Sequence, residues 1–175
     1  MRPAAGLLAL VTLQRLGELA LARRNTRRLM ARGAQEVSAE HYPLIVGLHA
    51  VWLAGLWIRG RRRPLNPGWL AAFLTLQAAR GWVLASLGER WTTRIIVLPD
   101  EPLVRRGPYR LIPHPNYAVV AGEMAALPLA LGLPRFAAIA SAANAFVLAI
   151  RIRAEERAPE QAAIRRSGGL EGQTT

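Results

Sequence analysis

The sequence predicts an all-α integral membrane protein, a bundle of about five transmembrane helices that ends in a C-terminal helical hairpin. Three observations carry that expectation. Hydrophobic residues make up 52% of the 175-residue chain, yet its formal charge is +12, a pairing that soluble domains of this size seldom show. The apolar residues gather into five stretches, each near the ~20 residues that cross ~30 Å of hydrocarbon as a helix. The arginines fall mainly between those stretches, so the charge is segregated from the apolar segments as lipid requires.

The first stretch, Pro3–Ala22, resembles a signal peptide at Ala20-Leu21-Ala22, but Gln14, Arg15 and Glu18 interrupt any compact apolar core, so it reads as a retained helix. The second, Tyr42–Ile58, and the fourth, Tyr117–Leu133, are short, which leaves a tilted or re-entrant path open for both. The third is Pro67–Leu87 and the fifth Pro134–Ile152. Only the Leu133-Pro134-Arg135 corner joins the last two, which predicts a tight antiparallel hairpin with Pro134 as an early helical residue. The whole chain, 1–175, reads as one domain: three helices in 1–88, a chemistry-bearing half in 89–157 and a polar, fraying tail in 158–175.

Arginine placement predicts orientation. Arg23, Arg24, Arg27, Arg28 and Arg32 follow the first stretch; Arg90, Arg94, Arg105, Arg106 and Arg110 follow the third; Arg151, Arg153, Arg157, Arg165 and Arg166 follow the fifth. With five spans these regions share one side, which the positive-inside rule makes cytoplasmic. Arg59 and Arg61–Arg63 fall on the other side and are outnumbered. The expected location is therefore the inner membrane, crossed several times, with the functional face toward the cytoplasm. All 23 basic residues are arginine, a bias that a GC-rich coding sequence produces. A dispersed basic surface with few loop aromatics matches no nucleic-acid module, so no nucleic acid is expected as partner. The absence of cysteine excludes disulfides, thiolate metal sites and a cysteine nucleophile, and no metal is expected.

Polar residues within the apolar stretches need a reason, because ionisable groups at membrane depth face a bundle interior or a wet cavity. Arg15 and Glu18 share a helix face, as do Gln77 and Arg80, and both pairs read chiefly as interhelical packing. Glu123 is assigned instead to a substrate pocket, because it lies just behind a segment crowded with chain-breakers: RRGPYRLIPHPNY, residues 105–117. There Gly107-Pro108 is a turn, and Pro113 and Pro115 hold residues 112 and 114 extended, with backbone groups free to meet a ligand. Pro115, Asn116 and Tyr117 form a helix entrance. His114 and Tyr117 then project at the membrane boundary. A second motif, Arg151-Ile152-Arg153-Ala154-Glu155-Glu156, follows the hairpin, and its Arg151 and Glu155 stand i, i+4 on one face.

Together Gly107-Pro108-Tyr109-Arg110, His114-Pro115-Asn116-Tyr117 and Arg151-Ile152-x-x-Glu155-Glu156 resemble the isoprenylcysteine carboxyl methyltransferase family and the related phospholipid methyltransferases over residues 101–157. Arg24-Asn25, Gly33-Ala34-Gln35-Glu36 and His41-Tyr42-Pro43 are similar to a bacterial branch associated with long-chain polyketide products such as alkylpyrones. The resemblance departs at Pro113, where the family carries arginine, and in the tail, which lacks the family's aromatic continuation. It implies S-adenosylmethionine as cofactor, with Tyr109, Arg110, His114, Pro115, Asn116, Tyr117 and Glu155 around it, and Arg151 and Glu156 as the catalytic pair. The partners it implies are a lipophilic small-molecule acceptor and membrane lipid, with the oligomeric state open. A non-enzymatic scaffold, its arginine loops on anionic headgroups, and a reductase of the same hairpin architecture are the other readings.

Overall fold

Prolines open four of the five helices, at the point where a missing N–H has no intrahelical partner to lose. The computed structural model describes residues 3–37, 39–98 and 104–171, apart from the side chains of His41 and of 159–171. The helices are α1 (Pro3–Ala31), α2 (Tyr42–Gly60), α3 (Pro67–Leu87), α4 (Pro115–Ala130) and α5 (Pro134–Glu171). Asn66 caps α3 by accepting from the Trp69 N–H at 3.1 Å. The fraying expected of the tail falls mostly on residues outside the described side chains, while helical backbone continues to Glu171.

Helices α1, α2, α3 and α5 are long and apolar enough to cross a membrane. The 16 residues of α4 rise only about 24 Å, less than a hydrocarbon core. This helix instead forms the centre of the bundle between α3 and α5, burying Val120, Glu123, Met124, Leu127 and Pro128. It also starts earlier and stops sooner than its apolar stretch. Gly132, at φ +66°, reverses the chain, and the Leu133 N–H closes on the Pro128 carbonyl at 2.9 Å, so the hairpin corner is Leu131–Leu133. The apolar core around it joins Leu8, Trp52, Leu56, Phe73, Met124, Leu127 and Leu131.

An element that the apolar pattern does not announce lies at one end. β1 (Gln35–Val37) pairs antiparallel with β2 (Ile95–Val97), Glu36 opposite Ile96. A three-residue ribbon is marginal by itself; here Val37 and Ile95 bury against Ala154 and Ala158 of α5. Arg94 forks onto Glu36 at 2.7 and 2.9 Å and lies 4.5 Å over the Tyr42 ring. The ribbon thereby gathers the α1–α2 loop, the α3–α4 loop and the exit of α5 at one end of the bundle, the arrangement the arginine argument requires. At the other end the Asn66 N–H donates to the Ala130 carbonyl at 2.8 Å and Gly60 packs on Leu131, which places Arg59 and Arg61–Arg63 there.

Between α1, α3 and α4 runs a buried polar ring. Glu18 accepts from Arg80 Nε (2.6 Å) and Nη2 (2.5 Å) and from Arg15 Nη1 (3.0 Å). Glu123 accepts from Arg15 Nη2 (2.6 Å), Gln77 Nε2 (2.7 Å) and Arg80 Nη1 (3.2 Å). Gln14 closes the ring onto Gln77 and Glu18. Two guanidiniums and two carboxylates sum to no net charge, and both carboxylates are saturated with donors, the condition under which buried ions are tolerated.

Candidate active site

The first wall of the site is a tight turn. Gly107 sits at φ +58°, and a Cβ there would collide with Ser86 Oγ, so glycine is the residue that fits. Arg106 Nε anchors the same corner on the Ser86 carbonyl at 2.8 Å. Residues Gly107–Arg110 wind into a 3-10 turn, and the N–H groups of Leu111 and Ile112 both close on the Pro108 carbonyl, at 3.0 and 3.2 Å. The expectation that the backbone from 111 onward offers free donors is therefore corrected: those two N–H groups are consumed by the turn. The His114 carbonyl likewise accepts from Tyr117 and Ala118 as α4 begins. Tyr109 leans inward onto Ala22, Val83, Trp91 and Val119. Burial, reinforced by the nearby Glu155 charge, raises its phenol to about 12.

The hairpin brings α5 back over this turn. The Tyr117 hydroxyl donates to Glu155 Oε2 at 2.5 Å and accepts from Arg151 Nε at 2.9 Å. The His114 ring stacks on Tyr117 with centroids 5.2 Å apart and planes 17° from parallel, and its Nδ1 lies 3.6 Å from Glu155 Oε2. Arg151 also lies 5.9 Å over the Tyr117 ring. The two motifs, 34 residues apart at Tyr117 and Arg151, thus meet on one hydroxyl. Spacing alone suggests that Arg151 and Glu155 pair directly; the structure joins them through Tyr117.

A cavity of about 280 Å³ extends from this cluster between α1, α2, α4 and α5. Asn116, Tyr117 and Arg151 line it at the cluster, and Leu16, Leu19, Ile45, Leu53, Val120, Val147 and Leu148 make most of its wall. That volume is near the lower end for small-molecule sites, and the mix of apolar wall and few polar groups is typical of them. Asn116 Oδ1 is buried with no hydrogen-bond partner among the described residues.

The other expected site residues separate. Pro115 is buried under the start of α4, and Arg110 and Glu156 are exposed, with no hydrogen bond or ion pair among the described residues. Glu123 does not line the cavity. It sits one layer behind, held by Arg15 and Arg80, which do line it, so the substrate-pocket assignment gives way to packing. Sequence reasoning also passed over His49, Trp52, Trp91 and Asn144, all on the cavity wall. A histidine and an asparagine inside otherwise apolar helices were the available signal. Asn25, quoted only as part of a motif, fixes the end of α1 by donating to the Trp91 carbonyl at 2.9 Å.

These features define a multi-pass membrane bundle with a small-molecule cavity beside a Tyr–Arg–Glu–His cluster. The chain belongs to the isoprenylcysteine carboxyl methyltransferase (ICMT) family, whose model matches residues 69–160, and so to a class of membrane methyltransferases. The matched region begins in α3 and contains every residue of the cluster. The chain is 37% identical to the uncharacterized protein YpbQ of Bacillus subtilis, over 91% of this chain and 98% of that one. An uncharacterized protein of Haemophilus influenzae is 25% identical over 82% of this chain and 87% of its own. No solved structure matches significantly.

Proposed function

We propose that the protein transfers a methyl group from S-adenosylmethionine to an oxygen, carboxylate or enol, of a lipophilic small molecule such as a long-chain polyketide, an alkylpyrone or a prenylated acceptor. The observation that carries this is the Tyr117 hydroxyl gripped by Arg151 and Glu155 at the end of an apolar cavity. The residues present suit the cofactor: the Glu155 carboxylate and the unpartnered Asn116 Oδ1 are acceptors for ammonium or hydroxyl groups, and the stacked His114–Tyr117 pair offers aromatic faces to a cation. When bound, S-adenosylmethionine supplies an electrophilic methyl on a sulfonium sulfur.

The protein's part is alignment and exclusion of water. Arg151, oriented by its bond to Tyr117, presents the rest of its guanidinium to an anionic acceptor oxygen. The apolar wall takes the acceptor's alkyl chain and keeps bulk water from the methyl donor. Holding donor and acceptor at attack distance accounts for up to ~7–11 kcal/mol of the barrier in favourable cases. The arginine-rich end gathered by the β-ribbon supports a site that faces the cytoplasm from the inner membrane.

Titration of the purified protein in detergent with S-adenosylmethionine tests the reading. Saturable binding is expected, weakened at least about tenfold in Tyr117→Phe and Glu155→Ala, each of which loses charge-assisted hydrogen bonds. No measurable affinity for the cofactor in the native protein overturns it and favours a scaffold.

A further inference from the structure

Arg59 and Arg61–Arg63 stand at the end of the bundle away from the site, against the orientation that the other arginines set. Two glycine contacts bring a fifth guanidinium to them. Gly60 packs on Leu131 and Gly55 on the Phe136 ring, so the end of α2 lies against the hairpin corner and the first turn of α5, where Arg135 stands. The bond from the Asn66 N–H to the Ala130 carbonyl fastens the far side of the α2–α3 loop to the same corner. All five arginines are exposed, and none of their side chains has a hydrogen bond or ion pair among the described residues.

No acid of the chain answers them. None of its 11 acidic residues falls within 3–17, 55–70 or 127–140, the segments that form this end. The helices add charge of the same sign, because α1, α3 and α5 all begin here and none has an acidic residue in its first turn. A cation is favoured at a helix C-terminus, so the last turn of α2 accounts for Arg59. Arg135 has no such account: in the first turn of α5 it stands against the positive end of the dipole. Solvation explains single loop arginines, but not five at one end with no acid among them.

Depth decides which anion can reach them. Helices α2 and α3 are apolar enough to cross a membrane, and only residues 61–66 separate them, so Arg61–Arg63 emerge at headgroup level on a loop too short to reach far beyond it. Trp69, 44% exposed in the first turn of α3, marks the same level, where tryptophans gather at membrane interfaces. A phosphodiester at that depth matches the planar fork of a guanidinium. A second copy of the chain does not, since it brings the same arginines and no carboxylate to an end-to-end contact. We infer that this end of the bundle binds the phosphates of anionic phospholipids in the leaflet it reaches. Arg61–Arg63 and Arg135 are the recognising groups, framed by the α2–α3 loop and the hairpin corner. A zwitterionic lipid carries its own ammonium beside the phosphate and competes poorly. Such binding does not depend on the methyl-transfer reading.

The test uses the purified full chain in phosphatidylcholine vesicles carrying about 20 mol% of a brominated lipid, either phosphatidylglycerol or phosphatidylcholine. The part of the tryptophan quenching that is lost in Trp69→Phe reports the lipids beside this end. Brominated phosphatidylglycerol is expected to quench Trp69 at least about twofold more than brominated phosphatidylcholine, and about 0.5 M salt narrows the gap. Replacing Arg61, Arg62, Arg63 and Arg135 together by glutamine brings the ratio to about one. Arg23, Arg24 and Arg27, replaced in the same way at the other end, leave it unchanged. A ratio near one in the native protein overturns the inference and leaves the cluster to an acidic protein partner. A ratio that survives the loss of all four arginines, or that falls as far in the opposite-end variant, overturns it as well.

Discussion

Two polar regions of this bundle are built from the same residue types and have opposite hydrogen-bond accounts. The α1–α3–α4 ring uses Arg15, Arg80, Glu18 and Glu123, and its carboxylates accept from every side. The cluster and cavity a few residues away use Arg151, Glu155, His114, Tyr117 and Asn116, and there the account is open: Glu155 is partly exposed and Asn116 Oδ1 has no partner among the described residues. The difference separates structure from chemistry. Carboxylates saturated by donors have little left to give a ligand and hold helices together, although Arg15 Nε of the ring has no partner among the described residues; an unsaturated set at a cavity wall is where a ligand gains.

The comparison breaks first at Arg80. Arg80→Ala removes the main partner of Glu18 and one donor of Glu123 in the bundle interior, and a loss of about 3–5 kcal/mol is expected, read as thermal or denaturant unfolding in detergent. A stable Arg80→Ala protein would mean that the ring is dispensable and the contrast false. Gly107→Ala comes next. It forces a left-handed backbone on alanine and drives a methyl into Ser86, for about 1–3 kcal/mol, and weaker cofactor binding is expected because the turn carries Tyr109 beneath the cluster. Ser86→Gly in the same chain relieves the collision but not the backbone strain, so partial recovery is the expected result.

Tyr109 sharpens the contrast through pH. Its folded phenol titrates at about 12, above an unfolded value near 10, so its contribution is complete below about pH 10 and is lost as pH rises toward 12. Tyr109→Phe should remove one late-titrating phenol from the phenolate absorbance, together with its share of the alkaline loss of stability. The smallest effect belongs to Glu156→Ala. An exposed carboxylate without partners among the described residues should alter stability by no more than about 0.5 kcal/mol and cofactor affinity less than Glu155→Ala does. Equal losses in the two variants would put Glu156 back in the site.

Much of this was legible in the chain. The five helices follow from apolar length, because lipid leaves the backbone no other partner than its own carbonyls. The two motifs that carry the family resemblance were readable because chain-breakers and charges stand out against apolar surroundings. The β-ribbon was not, since three residues on each side carry no usable period and pair only because α5 covers them. Neither was the split between Glu155 and Glu156. Adjacent residues on a helix point about 100° apart, and which one meets Tyr117 depends on the rotation of α5 in the hairpin.

The sequence by itself determined the class of molecule, the order of its helices and the short list of residues worth suspecting, because hydropathy and chain-breaking are local properties. Tertiary structure decided which of those residues are joined. Glu123 is joined to the α1–α3–α4 ring and Glu155 to Tyr117, and His49, on a helix far from either motif, lines the cavity beside Tyr117, because long-range packing alone determines which partner a polar group meets.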